Sequence, residues 1–385
     1  MRNKVVAVGL AVAVAVGMGV LATPASADPS APVVVVSGLN NPRQIVLLNG
    51  NAGPELLIAE AGKGGPTIVG EGMDASYVGF SGSVSAVWNP ATTTGSAPQR
   101  VVTNLISSSG PDGSFAVGAD GVAGRFSGGK IYSVVTYAPP DVPVPPAASA
   151  QLGHLLFTTP NKSVLPLQDV SGYEIANNPA GDNIDSNPYS ALARKDDILV
   201  ADAAGNSIIR YGSQGYGAAS TFAVLPQIDA PGCEVDHPET GPTINPPDLP
   251  GCDFVPTSLA QDKWGNVYVG GLGSLHNGVG RVVKLDPAGR MIKTWTGFTA
   301  VTGVAVGDDG SVYVSELSKD TATFAPGAVT KVATDGTMTS VTVPFAAGVA
   351  VDKDNNVFVS AFSIAPEGGL DGTPATSGQI WRLTF

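Results

Sequence analysis

Short apolar segments, tight polar turns and alternating apolar segments recur in the second half of the chain. The pattern is clearest in VPTSLAQDKWGNVYVGGL (255–272), VTGVAVGDDGSVYVSEL (301–317) and AAGVAVDKDNNVFVSAF (346–362). The turns are rich in Asp, Gly and Asn, which suit the backbone conformations of a hairpin. Val267, Val312 and Val357 are 45 residues apart, which is a typical length for a four-stranded propeller blade.

Three weaker copies precede these, at 40–62, 115–137 and 187–206, and the copy at 115–137 is the most degenerate. Each copy is followed by a second hairpin, such as GAVTKVATDGTMTSVTVPF after the fifth. The sequence therefore predicts an all-β protein, a six-bladed β-propeller with four-stranded blades.

The last copy ends with GQIWRLTF, a third strand without a fourth, whereas APVVVVSGL (31–39) stands alone before the first blade. We expect strand 31–39 to complete the C-terminal blade and so close the ring, because closure removes two exposed strand edges.

The first 27 residues have the pattern of a secretory signal peptide. Arg2 and Lys4 precede an apolar run, and Ala25-Ser26-Ala27 is a small-x-small cleavage site. A retained membrane anchor is the alternative, since the run is nearly long enough to span a bilayer. We predict a signal peptide at 1–27, a single propeller domain at 28–385, and secretion with cell-envelope association left open.

Composition and charge narrow the class of protein further. Forty-nine Gly, 31 Pro and only 14% charged residues indicate short strands joined by turns. The net charge is −12, and removing Arg2 and Lys4 makes it −14. This acidic balance argues against nucleic acid and anionic membranes as partners, and no later run predicts a stable membrane span.

The two cysteines, Cys233 and Cys252, bracket a Pro-rich loop. Export favours a disulfide between them, which would stabilise the fold by about 3 kcal/mol on the chain-entropy argument. A metal site with His237 fits no standard zinc spacing.

The lengths of the connections predict which face of the disc binds. Turns on the face opposite the start of each innermost strand are minimal, as in GDDG and DKDNN. The starting face carries long loops, and such loops on a rigid scaffold commonly bind ligands. These loops are residues 62–82, 138–151, 171–186, 227–253 and 363–378.

Polar residues recur at the ends of strands on that starting face, where they are expected around the mouth of the central channel. Glu60, Asp202 and Glu316 end second strands, and they would suit a divalent cation such as calcium or acid–base chemistry. Strand capping by hydrogen bonds to backbone N–H groups is the alternative. The candidate ligand-binding set adds residues near strand starts and one loop histidine: Arg43, Asn187, Tyr189 and His276.

Known catalytic patterns are not evident. No convincing G-x-S-x-G elbow, P-loop or dinucleotide fingerprint occurs. Of the three histidines, His154 begins a predicted third strand, His237 lies in the cysteine loop, and His276 in GSLHNGVG is the best single candidate for a general base. The catalytic residues therefore stay unknown.

The strings NNPRQI and LLIAEAGKGG, GSVSAVW, and NPYSALA with ILVADAAGNSIIR resemble the ScyD/ScyE family of secreted bacterial propellers. That family is similar to NHL-repeat and gluconolactonase-like propellers. Residues 40–43 and 187–190 match its blade-start motifs, whereas Gln44-Ile45 replaces its usual Gly-Leu. The resemblance implies fold and export but no substrate.

Three hypotheses for function follow. The first is a binding or scaffold propeller whose long-loop face engages an extracellular protein, glycan or small molecule. The second is a lactonase or lyase that depends on a divalent metal at the central channel. Gluconolactonase-like enzymes imply a Glu, Asn and Asp set, which Glu60, Asn187 and Asp202 resemble, whereas the paired histidines of streptogramin lyases are not evident. The third is a purely structural secreted protein.

Overall fold

The computed structural model describes residues 31–50, 53–72, 75–125, 129–138, 142, 144–159, 163–233 and 250–385. The predicted signal peptide therefore lies outside the described residues. In the described residues the first element is strand β1 (Val33–Leu39), and the strands are arranged in six antiparallel sheets that form six blades. The six-bladed propeller with four-stranded blades is thus confirmed.

The first three blades follow β1 in chain order. The first contains β2 (Pro42–Gly50), β3 (Gly53–Glu60), β4 (Thr67–Val69), β5 (Ser76–Trp88) and β6 (Gln99–Ser109). The second contains β7 (Ala119–Arg125), β8 (Lys130–Val135), β9 (His154–Thr158) and β10 (Val164–Asp169), followed by helix α1 (Val170–Asn177). The third contains β11 (Pro188–Ala193), β12 (Ile198–Asp202), β13 (Ser207–Tyr211) and β14 (Ser220–Val224).

The last three blades show the 45-residue repeat. The fourth contains β15 (Pro256–Gln261), β16 (Val267–Gly271), β17 (Gly280–Leu285) and β18 (Met291–Phe298). The fifth contains β19 (Val301–Val306), β20 (Val312–Ser318), β21 (Pro326–Val332) and β22 (Met338–Val343). The sixth contains β23 (Val349–Val351), β24 (Val357–Ala361) and β25 (Gly378–Leu383), and β1 is its outermost strand.

The second strand of a blade is covered on both faces by neighbouring blades. All residues of β12, β16 and β24 are therefore buried, which explains why these strands are almost continuously apolar in sequence. Outermost strands such as β18 and β22 are largely exposed and contain Lys and Thr instead.

The hydrophobic core is a ring of six clusters, one between each pair of adjacent blades. For example, Leu199 and Ile208 of the third blade pack in one cluster with Val267 and Val283 of the fourth. The other five clusters join the remaining neighbours in the same way. Each blade is therefore stabilised by two interfaces rather than by a core of its own.

Closure by the N-terminal strand occurs as predicted. β1 pairs antiparallel with β25, from Val33 opposite Arg382 to Leu39 opposite Gly378. The other side of β1 is met by the first blade, where Gly95 and Ser96 donate backbone hydrogen bonds to Val34 and Val35. The closing strand is therefore hydrogen-bonded on both sides.

Two features depart from the sequence prediction. The first blade has a fifth strand, because β5 is 13 residues long and extends beyond β3 to pair with β4. The segment 171–186, expected to be a loop, contains most of helix α1, whose first turn is capped by Asp169 accepting from the N–H of Gly172. With only eight residues, this helix is too short to give a periodic apolar pattern.

Removing β1 should destabilise the whole ring, because it exposes the β25 edge and opens the cluster that holds Val35 and Val36. We expect a chain starting at residue 40 to aggregate or to melt at a much lower temperature than a chain starting at residue 31. Size-exclusion chromatography and thermal melts would check this. A soluble monomer with the melting temperature of the longer chain would contradict ring closure as a source of stability.

Candidate binding face

We call the side of the disc where innermost strands begin the loop face, and the opposite side the turn face. Three buried carboxylates lie near the loop-face ends of second strands in alternate blades. Glu60, Asp202 and Glu316 stand in register with the first residue of β2, β11 and β19, respectively. In the second and fourth blades the same register holds Val135 and Gly271.

The two glutamates bind the backbone just before their innermost strands. Glu60 accepts from the N–H of Asn40 at 2.7 Å and from the guanidinium of Arg100 at 2.9 Å. Glu316 accepts from the N–H of Thr299 at 2.7 Å and from Lys319 at 2.8 Å. Both N–H groups lie two residues before the strand, where no strand partner exists for them.

Asp202 has the same position with a side chain shorter by one methylene. It accepts from the N–H of Asn187, one residue closer to the strand, at 2.6 Å. It also accepts from the hydroxyl of Ser186 at 2.6 Å. The Asn187 side chain in turn accepts from Thr136 at 3.0 Å. All three carboxylates therefore participate in hydrogen bonds that fix the strand starts.

Metal binding by these groups would require them to converge. Among the described residues, no group of three or more His, Cys, Asp or Glu side chains is arranged to hold a metal ion. Each of the three carboxylates instead contacts groups at the start of its own blade.

The centre of the ring is crossed by Gln44. Its amide nitrogen donates to the carbonyl oxygens of Thr257 at 2.9 Å and Thr302 at 2.6 Å, in the fourth and fifth blades. The innermost strands approach closely, since a Cβ added at Gly348 would lie 2.5 Å from the nitrogen of Ile45. Gln44 is 5% exposed, so this part of the channel is filled by protein.

Above Gln44, towards the loop face, three blades contribute a polar cluster. Arg43 hydrogen-bonds to the carbonyl of Ala116, its Nε lies 3.5 Å from Asp120 Oδ1, and it also hydrogen-bonds Tyr189. Irregularities in strand pairing occur at each of these positions, and such bulges redirect side chains. Sequence reasoning identified Arg43 and Tyr189 as candidates for this region.

Asp120 is not among the residues that the sequence predicts for this region. It belongs to the most degenerate repeat, where Ala119-Asp120 replaces the Pro-x pair of Pro42-Arg43 and Pro188-Tyr189. The feature of the sequence that points to Asp120 is its position, which is equivalent to those of Arg43 and Tyr189 when the strand starts are aligned. Burial raises the pKa of Asp120 to about 6, although the neighbouring Arg43 opposes that rise.

Two buried carboxyl groups, those of Glu174 and Asp202, lie close together between α1 and the third blade. Glu174 is 1% exposed, accepts from the Ser207 hydroxyl at 3.0 Å, and is close enough to Asp202 for mutual repulsion. Burial and that repulsion raise the pKa of Glu174 to about 8. Burial likewise raises the pKa of Asp202 to about 6, against the effect of its hydrogen bonds.

The disulfide between Cys233 and Cys252 is confirmed, with the Cα atoms 4.7 Å apart. Paired backbone hydrogen bonds between Ile228 and Cys252 hold the base of that loop. Beside it is an open pocket of about 480 Å³, lined by Pro231, Ser274, Leu275, His276, Asn277, Thr321 and Ala322. His276, the general-base candidate, thus lines a loop-face pocket that none of the three carboxylates lines.

Pro231 of the cysteine loop forms one edge of the pocket, and the rest of its walls come from the loops that connect second and third strands in the fourth and fifth blades. Asn277 donates to Asp320 at 2.8 Å and accepts from the N–H of Thr321 at 2.9 Å, which joins the two loops. Ser274 and Leu275 have φ of 48° and 60°, a left-handed conformation that is unfavourable for a branched residue such as Leu. The Leu275 side chain is 43% exposed, so burial of this side chain does not explain the unfavourable backbone conformation.

None of the helices in the described part of the chain has the length and apolar character of a membrane span. No family model and no curated protein sequence matches this chain.

Solved propeller structures do resemble it. A streptogramin B lyase is 9% identical, with a TM-score of 0.48 over 92% of this chain and 96% of that one. A luciferin-regenerating enzyme is 10% identical, with a TM-score of 0.49 over 92% and 95%. The PQQ-bound aldose sugar dehydrogenase from Streptomyces coelicolor is 12% identical, with a TM-score of 0.45 over 94% and 99%. The similarity concerns the fold and assigns no reaction.

Because the pKa of Glu174 is raised, a variant without this carboxyl group should be more stable than wild type at high pH. The unfolded chain releases this proton near pH 4.5 and the folded protein near pH 8, so stability falls as pH rises through that window. Glu174→Gln keeps an acceptor for Ser207 and removes the charge. We expect its melting temperature relative to wild type to rise by roughly 2 °C or more between pH 5 and pH 8.5.

Thermal melts of both proteins across that pH range would measure the effect. Asp371→Asn, at an exposed site on the same face, is the control for a general change in charge. A difference in melting temperature that stays constant from pH 5 to pH 8.5 would show that Glu174 is not held protonated by its surroundings.

Proposed function

We propose that this chain is an exported, non-catalytic binding propeller of the ScyD/ScyE type, and that it holds an extracellular ligand in the loop-face pocket of the fourth and fifth blades. The observation that supports this most directly is the conformation of Ser274 and Leu275, two consecutive residues held at positive φ in the pocket wall. Unfavourable backbone of this kind is concentrated at functional sites.

The pocket suggests the type of ligand. Its volume of about 480 Å³ is within the usual range for small-molecule sites. Pro231, Leu275 and Ala322 provide apolar surface, whereas Ser274, Asn277 and Thr321 provide hydrogen-bonding groups. We therefore favour a small amphipathic molecule, or an equivalent group on a larger glycan or protein partner.

Two further features support binding over catalysis in the channel. The centre of the ring is occupied by Gln44, and the carboxylates proposed from sequence as metal ligands participate in hydrogen bonds at strand starts. The disulfide favours an oxidising compartment, in line with export. The signal peptide itself remains a prediction from sequence.

Filling the pocket should prevent binding. Ala322 is exposed on the pocket wall, and Ala322→Trp places a large ring there. We expect a small molecule to co-purify with the wild-type protein from medium of its native producer, and at least about tenfold less of it with the variant, because steric exclusion removes the site. Mass spectrometry of extracts from equal amounts of protein would measure it.

Ala375→Trp is the matched control, since Ala375 is exposed on the same face but does not line the pocket. It should retain the compound at the wild-type level. Equal retention by Ala322→Trp, or no compound with any of the proteins, would argue against the pocket as the binding site.

Metal analysis distinguishes this proposal from a metal-dependent lactonase or lyase. We expect wild-type protein purified without chelators to contain no stoichiometric divalent ion, and EDTA to leave its melting temperature unchanged, because hydrogen-bond donors already surround Glu60, Asp202 and Glu316. A bound ion that Glu60→Gln, Asp202→Asn or Glu316→Gln releases would favour the enzyme instead.

A further inference from the structure

Two turns on the turn face are almost identical in geometry. Asp262 Oδ1 accepts from the N–H groups of Trp264 and Asn266 at 3.0 and 2.9 Å. Asp352, in the sixth blade, accepts from Asp354 and Asn356 at 2.9 and 2.8 Å. In both turns the second carboxylate oxygen accepts from the asparagine side chain, at 2.8 and 2.7 Å.

The repeat therefore provides an internal comparison for Trp264. Its counterpart in the sixth-blade turn is Asp354. Its counterpart in the fifth-blade turn is Asp309, because both Trp264 and Asp309 are followed by a glycine at positive φ. The turn forms with aspartate at this position, so its folding does not require an indole. Trp264 is also 64% exposed, more than any other large apolar side chain in the described residues.

Trp264 lies beside a cleft between the fourth and fifth blades. A cleft of about 40 Å³ is lined by Gln261, Asp262, Lys263, Trp264, Val306, Gly307 and Asp308. Lys263 crosses it, with Nζ 4.7 Å from the indole centroid and donating to the Asp308 carbonyl at 3.3 Å. The cleft has room for a small polar group, such as a hydroxyl or hydroxymethyl group.

The charges around the cleft balance. Lys284 pairs with Asp262 at 3.0 Å, and the cleft lining contains one further cation, Lys263, and one further anion, Asp308. The charges of the cleft therefore favour neither an anionic nor a cationic ligand. An exposed aromatic surface beside amide, ammonium and carboxylate groups provides apolar contact together with hydrogen-bond donors and acceptors. A neutral saccharide offers the matching chemistry, with an apolar ring face and hydroxyl groups at its edge.

We infer that Trp264 and the adjoining cleft form a binding site for a neutral saccharide on the turn face, separate from the loop-face pocket. In this site one sugar ring stacks on the indole. A hydroxyl or hydroxymethyl group of that sugar enters the cleft, where Gln261 and Asp308 are within reach of it. The site does not depend on the ligand proposed for the loop face.

Calorimetric titration with cellohexaose, xylohexaose, mannohexaose and chitohexaose tests this inference. We expect wild-type protein to bind at least one of them. Trp264→Asp, which installs the residue of the sixth-blade turn, should weaken that binding by at least about tenfold with no change in melting temperature, whereas Trp264→Phe should retain most of it because an aromatic face remains. The bound sugar should also reduce quenching of wild-type tryptophan fluorescence by acrylamide.

Trp88→Ala is the matched control, since Trp88 is 45% exposed at the turn-face end of the first blade. It and Ala322→Trp should bind the saccharide as wild type does, so failure here is distinct from failure of the loop-face proposal. Absence of binding by all four saccharides, undiminished affinity in Trp264→Asp, or binding only of an acidic oligosaccharide such as hexagalacturonate would overturn the inference.

Discussion

Closure of the ring by β1 is the constraint on which the rest of the structure depends. The strand joins residues from opposite ends of the chain, with Val33 opposite Arg382. Since each blade is stabilised by packing against two neighbours, one open junction would expose the apolar faces of both flanking blades. The cluster at this junction includes Val35, Val36 and Phe358, so the last interface is built like the five others.

Closure also determines what the centre of the ring can do. Six innermost strands that meet around one axis leave little space, and Gly121, Gly303 and Gly348 lie where a Cβ would clash with the backbone of a neighbouring blade. The remaining space is crossed by Gln44 and topped by Arg43, Asp120 and Tyr189. Binding is therefore better served by the periphery of the two faces, where loops and turns vary without disturbing closure.

Much of this architecture follows from the sequence, because a propeller repeats one hydrophobic pattern at a fixed spacing. The 45-residue period and the isolated strand at 31–39 were sufficient to predict the blades and the closure. The disulfide followed from export and from two cysteines that flank one loop. Helix α1 and strand β4 escaped prediction, because each is short and depends on contacts made by its neighbours.

The candidate sites were harder to predict, because sequence gives a position in a strand but not the direction of a side chain. Glu60, Asp202 and Glu316 are in equivalent registers, yet they bind backbone N–H groups of their own blades. The Asp120 and Arg43 contact depends on bulges that no local pattern reveals. The proximity of Glu174 to Asp202 depends on where a short helix docks.

Internal repetition helps to identify candidate sites once the structure is known, since each blade can be compared with the others. Carboxylates that recur with the same hydrogen bonds, as Asp262 and Asp352 do, are explained by the turn they stabilise. A residue that departs from its counterparts while the backbone stays the same has no such explanation. Trp264, which stands where the sixth-blade turn has Asp354, is a departure of this kind. The turn face therefore contains a position whose residue is not accounted for by the fold alone, which is why binding at Trp264 is the more economical explanation for it.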